Sequence, residues 1–383
     1  MAITHHLLCV YQSVIYLASV ELLICFQVTR ASHQISVGST LFCFKSRFGA
    51  GWAALSIMKK GISLFLLAVV SSPFLSSCQK ADDVTGISFK TVSVTVGYTS
   101  ATVYGTVTVV DNPGRIKQIE VYCAEDPESL KKTKAIVCQL DSENNFSANI
   151  SSLEDGAKYY FQPKIIVGQT PIEGQTQSFT TFPQGPIDLD LPSGKKWASH
   201  NVGAKIPTDK GGHYAWGETS EKSNYNWSSY KYCQGDFNKL TKYVVSKYNG
   251  YNGQVDNLTE LEGADDAAKA VMGSQWRTPT YKEWEELREN CSARMEKINE
   301  VDGVVLYSKK DMNNLKKWIF IPINPGKLSG TGEEYGGGYW TATTYNDGYE
   351  YKARYFEFGI GANIYDFSVD RCIGFTTRPI YAN

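Results

Sequence analysis

The chain has 383 residues, 38 basic and 39 acidic side chains and a formal net charge of −1, with 42% apolar and 20% charged residues. These values exclude a disordered or collagen-like chain. They also argue against a nucleic-acid partner, which would call for a basic stripe. The length suggests two or three domains.

Charge is uneven along the chain. Residues 1–77 hold five cations and one anion, Glu21, which leaves 33 basic and 38 acidic residues from Cys78 onward. Met58-Lys59-Lys60 and the apolar run 62–70 have the form of a signal peptide, too short to span a bilayer. Leu75-Ser76-Ser77-Cys78 closes this run and resembles a bacterial lipobox. The resemblance implies cleavage before Cys78, lipid on its thiol and new amine, and anchorage to the outer membrane without a spanning helix. Residues 58–77 are therefore expected to be a lipoprotein signal peptide. Residues 1–57 are expected to be an extension upstream of the true start; the alternative is an extra helix in the apolar stretch 7–28, which Glu21 interrupts. Residues 78–85 are expected to form a lipid-anchored tether. Gln79-Lys80-Ala81-Asp82-Asp83 resembles the export signal of surface-displayed lipoproteins in Bacteroidota-type bacteria, which implies exposure at the cell surface; the alternative is a plain solvated spacer.

Residues 86–182 show short alternating runs at 91–96, 101–109, 116–123, 146–150, 158–167 and 175–181, with a turn at Asp111-Asn112-Pro113-Gly114. Strands at this spacing, with no helical period between them, predict an all-β immunoglobulin-like sandwich. Leu153-Glu154-Asp155-Gly156-Ala157-Lys158-Tyr159 resembles the fibronectin type III stretch leading into a tyrosine corner, with Tyr159 in the corner role. Cys123 and Cys138 are either a disulfide or two buried thiols. No catalytic group stands out in this domain, which reads as a spacer.

After a linker at 183–186, residues 186–383 change character, with seven Trp (197, 216, 227, 276, 284, 318 and 340), many Tyr and frequent Gly. One helix is predicted at 265–272, acidic at its start and stopped at Gly273. A second follows Pro279, opened by a Thr280/Glu283 capping box with Trp284 and Leu287 on one face. Six blocks then occur in order: Leu191-Pro192-Ser193-Gly194-Lys195-Lys196-Trp197-Ala198 with Asn201-Val202-Gly203-Ala204; Tyr214-Ala215-Trp216-Gly217-Glu218; Asp265-Asp266-Ala267-Ala268; Trp276-Arg277-Thr278-Pro279-Thr280 with Glu283-Trp284; Tyr339-Trp340-Thr341-Ala342-Thr343; and Gly374-Phe375 with Arg378-Pro379. Together they resemble the Fibrobacter succinogenes major paralogous domain family. That resemblance implies an α+β C-type-lectin-like domain. Most of these Trp residues are expected in the core, and Arg277 is expected to meet a carboxylate or a loop carbonyl.

The Arg277-Thr278-Pro279-Thr280 block with Glu283-Trp284 also resembles its counterpart in formylglycine-generating enzymes. The cysteines here, Cys233, Cys291 and Cys372, fall in no matching motif, and no Ser-His-Asp set is legible. His200 and His213 read as structural or exposed, and the calcium signatures of C-type lectins are absent. The expectation is a protein that is no enzyme, with no cofactor and no metal. The alternatives are a metal-dependent relative of the formylglycine-generating group and a structural subunit of a surface assembly. Residues 336–380 resemble the ligand-binding region of hypervariable C-type lectin receptors. That likeness implies a glycan or protein ligand at Tyr345, Asn346, Asp347, Tyr349, Tyr351, Asn363, Tyr365 and Asp366. Tyr and Asn suit the task, one as a rigid amphipathic face and the other as an adaptable hydrogen-bonder; the alternative is that they only decorate sheet edges.

Overall fold

The computed structural model describes residues 83–110, 113–323, 337–348 and 351–382. The expected signal peptide, Cys78 and Tyr349 lie outside them. Among the described residues no helix is long and apolar enough to cross a membrane.

The first half is a two-sheet β-sandwich. β1 (Ile87–Val96), β2 (Ser100–Val109) and β5 (Asn145–Ser151) form one sheet. β3 (Ile116–Ala124), β4 (Ile136–Cys138), β6 (Lys158–Val167) and β7 (Thr170–Glu173) form the other, with β8 (Gln177–Thr180) also on β6. Strict alternation builds it: every second residue of β6, from Tyr159 to Val167, is buried. The predicted strands are present, whereas β4 and β7 went unrecognised because three or four residues carry too little periodicity. β7 and β8 run one after the other along β6, parted where Gly174 donates to the Pro163 carbonyl at 2.8 Å. The tyrosine corner forms as expected, with the Tyr159 hydroxyl accepting from the Glu154 N–H at 3.0 Å. Cys138 stands opposite Ile119, four residues from Cys123 on β3. At about 3.3 Å per residue that offset is too long for a disulfide, and both thiols are free.

Two expected flexible segments are held in place. Arg115 pairs with the Asp83 carboxylate at 3.1 Å and donates to the Asp83 and Thr85 carbonyls, so residues 83–85 are fastened to the sandwich. At the 183–186 linker, Phe182 is fully buried and Pro183 is buried beside it. Phe182 packs on Tyr98 and on Trp318.

The second half opens with β9 (Pro186–Asp188) and β10 (Lys196–Ala198). It continues through α1 (Ala267–Met272), β11 (Trp276–Arg277) and α2 (Tyr281–Asn290). Then come β12 (Cys291–Ile298), β13 (Val301–Ser308) and β14 (Trp318–Pro322), followed by β15 (Gly337–Thr344), β16 (Lys352–Phe358), β17 (Ile364–Asp370) and β18 (Ile380–Tyr381). Three sheets result, in the orders β11-β18-β10-β9, β12-β13-β14 and β15-β16-β17. Both predicted helices form. Asp266 caps α1, and Thr280 and Glu283 close the capping box of α2. Glu283 also takes the Arg277 guanidinium, at 2.8 Å to Nη1. Trp197, Trp216, Trp276, Trp284 and Trp340 are buried as expected, while Trp227 and Trp318 stay partly exposed.

Arg378 is fully buried, and its bonds all go to neutral oxygens. Its guanidinium donates to Asn201 Oδ1 (2.8 Å), the Ser199 and Ala198 carbonyls (2.8 and 3.2 Å) and the Phe320 carbonyl (2.7 Å). Burial pulls its pKa down to about 10. Arg378→Lys cannot reproduce this planar fork and orphans buried acceptors. It is expected to lower stability by about 2–5 kcal/mol, read from the urea unfolding midpoint.

Candidate functional site

Of the residues singled out as ligand contacts, Tyr365 and Asp366 lie on β17 and the other described ones lie in the turns of the β15-β16-β17 sheet, whose register decides which of them act together. Trp340, Tyr355 and Phe367 share one row across the sheet, and Tyr339, Phe356 and Asp366 the next. Neighbouring rows point to opposite faces. The row of Phe356 packs on Trp284 of α2. The row of Tyr355 packs with Trp216 and Phe375 under the long irregular segment that precedes α1.

Asp366 therefore faces α2. It accepts from Arg288 Nη1 at 2.8 Å and from the Tyr281 hydroxyl at 3.0 Å. Burial alone would raise its pKa, but these bonds and the Arg288 charge bring it below the usual carboxylate value. Tyr345 lies on the same face, 5.1 Å from the Arg354 guanidinium, which in turn lies 4.3 Å over the Tyr281 ring. Asp366 is thus a strut between helix and sheet.

Asn363 and Tyr365 sit at the far end of β16. Gly359 donates to the Asn363 carbonyl across the β16–β17 turn, whereas Tyr345 donates to the Lys352 carbonyl at the other end. From Lys352 to Phe358 the strand covers about 20 Å. The seven described residues therefore do not form one surface. Tyr365, 49% exposed, neighbours Phe367 at 6.1 Å, well away from Asn346 and Asp347, which are exposed on the turn after β15.

That nearer end carries an aromatic cluster. Tyr351 lies 4.8 Å from Phe237 and 6.1 Å from Trp227, and the last two are 6.3 Å apart. Trp227 is held by three constraints. The turn it opens is closed by an Asn226/Ser229 capping box, Tyr230 packs edge-on at 5.5 Å, and its indole N–H donates to Asp370 Oδ2 at 3.2 Å. Lys352 Nζ is 5.8 Å from the Tyr351 ring centre. Asp370 has its pKa raised by burial, against the pull of Trp227 and Lys352. Rigid aromatic faces beside an acceptor and a cation can stack on the C–H surface of a sugar and hydrogen-bond its hydroxyls. The sequence reading named Tyr351 here and missed Trp227, Phe237 and Asp370. The available signal was a tryptophan in a polar, aperiodic stretch, Asn226-Trp227-Ser228-Ser229.

The other histidine and thiol groups are partly or fully withdrawn from solvent. His200 bonds to the Tyr98 hydroxyl at 2.8 Å, and burial pushes its pKa down to about 4. Burial pushes the Cys291 and Cys372 thiols up to about 12. Among the described residues, no group of three or more His, Cys, Asp or Glu is placed to hold a metal ion.

No family model matches the chain, and no curated protein matches it. Similar solved structures include the sensor domain of the anti-sigma factor RsgI4 in Pseudobacteroides cellulosolvens, at 19% identity over 26% of this chain and 98% of that one, TM-score 0.22. Chicken CNTN1 FN1-FN3 domains match at 12% identity over 24% of this chain and 31% of that one, TM-score 0.21. A fibronectin type III domain derived from human KIAA0970 protein matches at 13% identity over 27% and 77%, TM-score 0.19.

Asp366→Asn is expected to cost about 0.5–1 kcal/mol through the half-exposed Arg288 pair, whereas Asp347→Ala stays within about 0.5 kcal/mol. Thermal unfolding of the two variants side by side checks this division between strut and surface.

Proposed function

We propose that this is a lipid-anchored lipoprotein of the outer membrane, exposed at the cell surface. Its fibronectin type III-like sandwich carries a C-type-lectin-like module that binds a glycan without catalysis. The observation that carries this reading is the Trp227–Phe237–Tyr351 cluster with Asp370 and Lys352 at its rim. Three rings from two chain segments are held in place before any ligand arrives, so little side-chain entropy is lost on binding. The high thiol pKa values of Cys291 and Cys372 favour binding over redox chemistry, because the thiolate is the reactive form. The lipobox-like Leu75-Ser76-Ser77-Cys78 supports the anchor.

The test is a glycan and mucin array probed with the full chain, in calcium and again in chelator. Binding is expected in both conditions. Trp227→Ala and Tyr351→Ala are expected to weaken it at least about fivefold, the worth of one aromatic contact, while Tyr365→Ala leaves it unchanged. Loss of binding in chelator would place a calcium ion in the site. Indifference to Trp227 and Tyr351 would move the ligand elsewhere. Fatty-acid labelling of expressing cells, expected to vanish in Cys78→Ala, tests the anchor separately.

A further inference from the structure

Between the sandwich and the β12-β13-β14 sheet lies a cleft of about 700 Å³. It is built from elements that the aromatic cluster does not use, and its wall holds Trp318, the other tryptophan of this half that escapes full burial.

Strand edges converge on it. Among the described residues, β1 has β2 as its one ladder partner, β8 has β6, and β12 has β13. An edge strand presents a row of backbone N–H and C=O groups that lack a ladder. Asn299 shows which groups of β1 turn outward. Its Oδ1 accepts the Val96 N–H at 2.7 Å and its Nδ2 donates to the Val96 carbonyl at 2.8 Å. A side-chain amide thus stands where the peptide group of a neighbouring strand would stand. The antiparallel ladder alternates, so Val94 turns its N–H and C=O the same way two residues earlier, and Val94 lines the cleft. On β8, Thr181 donates inward to the Ala157 carbonyl. By the same alternation Thr180, opposite Lys158, turns its backbone groups away from β6, and Thr180 also lines the cleft.

The walls add chemistry to this edge. Lys158 contributes a cation from the sandwich and Arg294 an exposed one from β12, where it pairs with Glu296 on the same strand, while Lys297 leans toward Glu300 and Asp302 at the β12–β13 turn. Met312, 56% exposed, and Trp318 supply apolar surface.

We propose that this cleft binds an extended peptide segment of a partner protein by strand addition to β1 at Val94. Acidic side chains of the peptide meet Lys158 and Arg294, and apolar ones on the alternate face meet Trp318 and Met312. Main-chain bonds supply affinity in this mode, and alternating pockets supply selectivity.

A display library of random linear peptides, panned on the full chain in detergent, tests this. Enriched sequences are expected to alternate acidic and apolar residues. N-methylation of alternate backbone amides in a synthetic copy is expected to weaken binding about tenfold or more. Val94→Pro removes only an outward N–H and is expected to do the same. Should Val94→Pro fail to fold, the exposed pair Lys158→Glu and Arg294→Glu keeps the test alive, since it should turn the selection toward basic peptides. Trp227→Ala should leave peptide binding unchanged, which separates this cleft from the aromatic cluster. Failure to enrich any peptide, or enriched peptides indifferent to both N-methylation and the charge reversals, would overturn the proposal.

Discussion

The second half of the molecule is organised around one buried cation. Arg378 joins three segments distant in sequence: Ala198 to Asn201 after β10, Phe320 in the middle of β14, and its own strand approach to β18. Removing a guanidinium from water costs on the order of several kcal/mol. Four charge-assisted bonds at roughly 1.5–3 kcal/mol each can offset that cost only if all four are made together. The arrangement is therefore cooperative by construction, because no segment can leave without stranding the charge. β10 and β18, near the two ends of this half in sequence, are clasped next to it, with Trp197 opposite Ile380. Asp266 repeats the device on a smaller scale: it caps α1 and also accepts the Thr278 N–H and hydroxyl, fixing β11 and the entry to α2.

That clasp lets the 199–266 stretch remain almost free of regular structure. Rings hold it in place of ladders: Trp216 donates to the Thr341 carbonyl, Trp340 to Tyr214, Tyr230 to Trp216 and Tyr225 to His213. Asp265, expected as an ordinary residue of a helix start, is instead the buried acceptor of Tyr232, Tyr243 and Lys242. A long segment tied down at many points can expose a few rings without losing its shape, and it exposes them at Trp227 and Phe237.

The two halves are also one body at their junction. Asn299 at the β12–β13 turn grips Val96, and Tyr98 reaches the Ser199 hydroxyl at 3.0 Å. Val305 and Phe320 complete the core of the sandwich. The sandwich read from sequence as a spacer is in structure a wall of the interdomain cleft. None of this was visible in the sequence, because Asn299 and Tyr98 carry no periodic signal and their partners lie about a hundred to two hundred residues away.

What the sequence determined by itself is local. The alternation of β6, the tyrosine corner at Tyr159, the cap at Asp266 and the Thr280/Glu283 box each depend on residues within about five positions of one another, so short-range geometry suffices to specify them. The β12 strand marks the limit: Ala293-Arg294-Met295-Glu296-Lys297 favours a helix by propensity, yet pairing with β13 makes it a strand. The eight residues proposed as one binding surface mark it too. Strand alternation sends Tyr345 and Asp366 to the helix face and Tyr351 to the other, and the length of β16 carries Asn363 and Tyr365 to the far end. Composition selected residues suited to recognition, but only the tertiary register decided which of them stand together, because a side chain's neighbours across a sheet are set by pairing rather than by order along the chain.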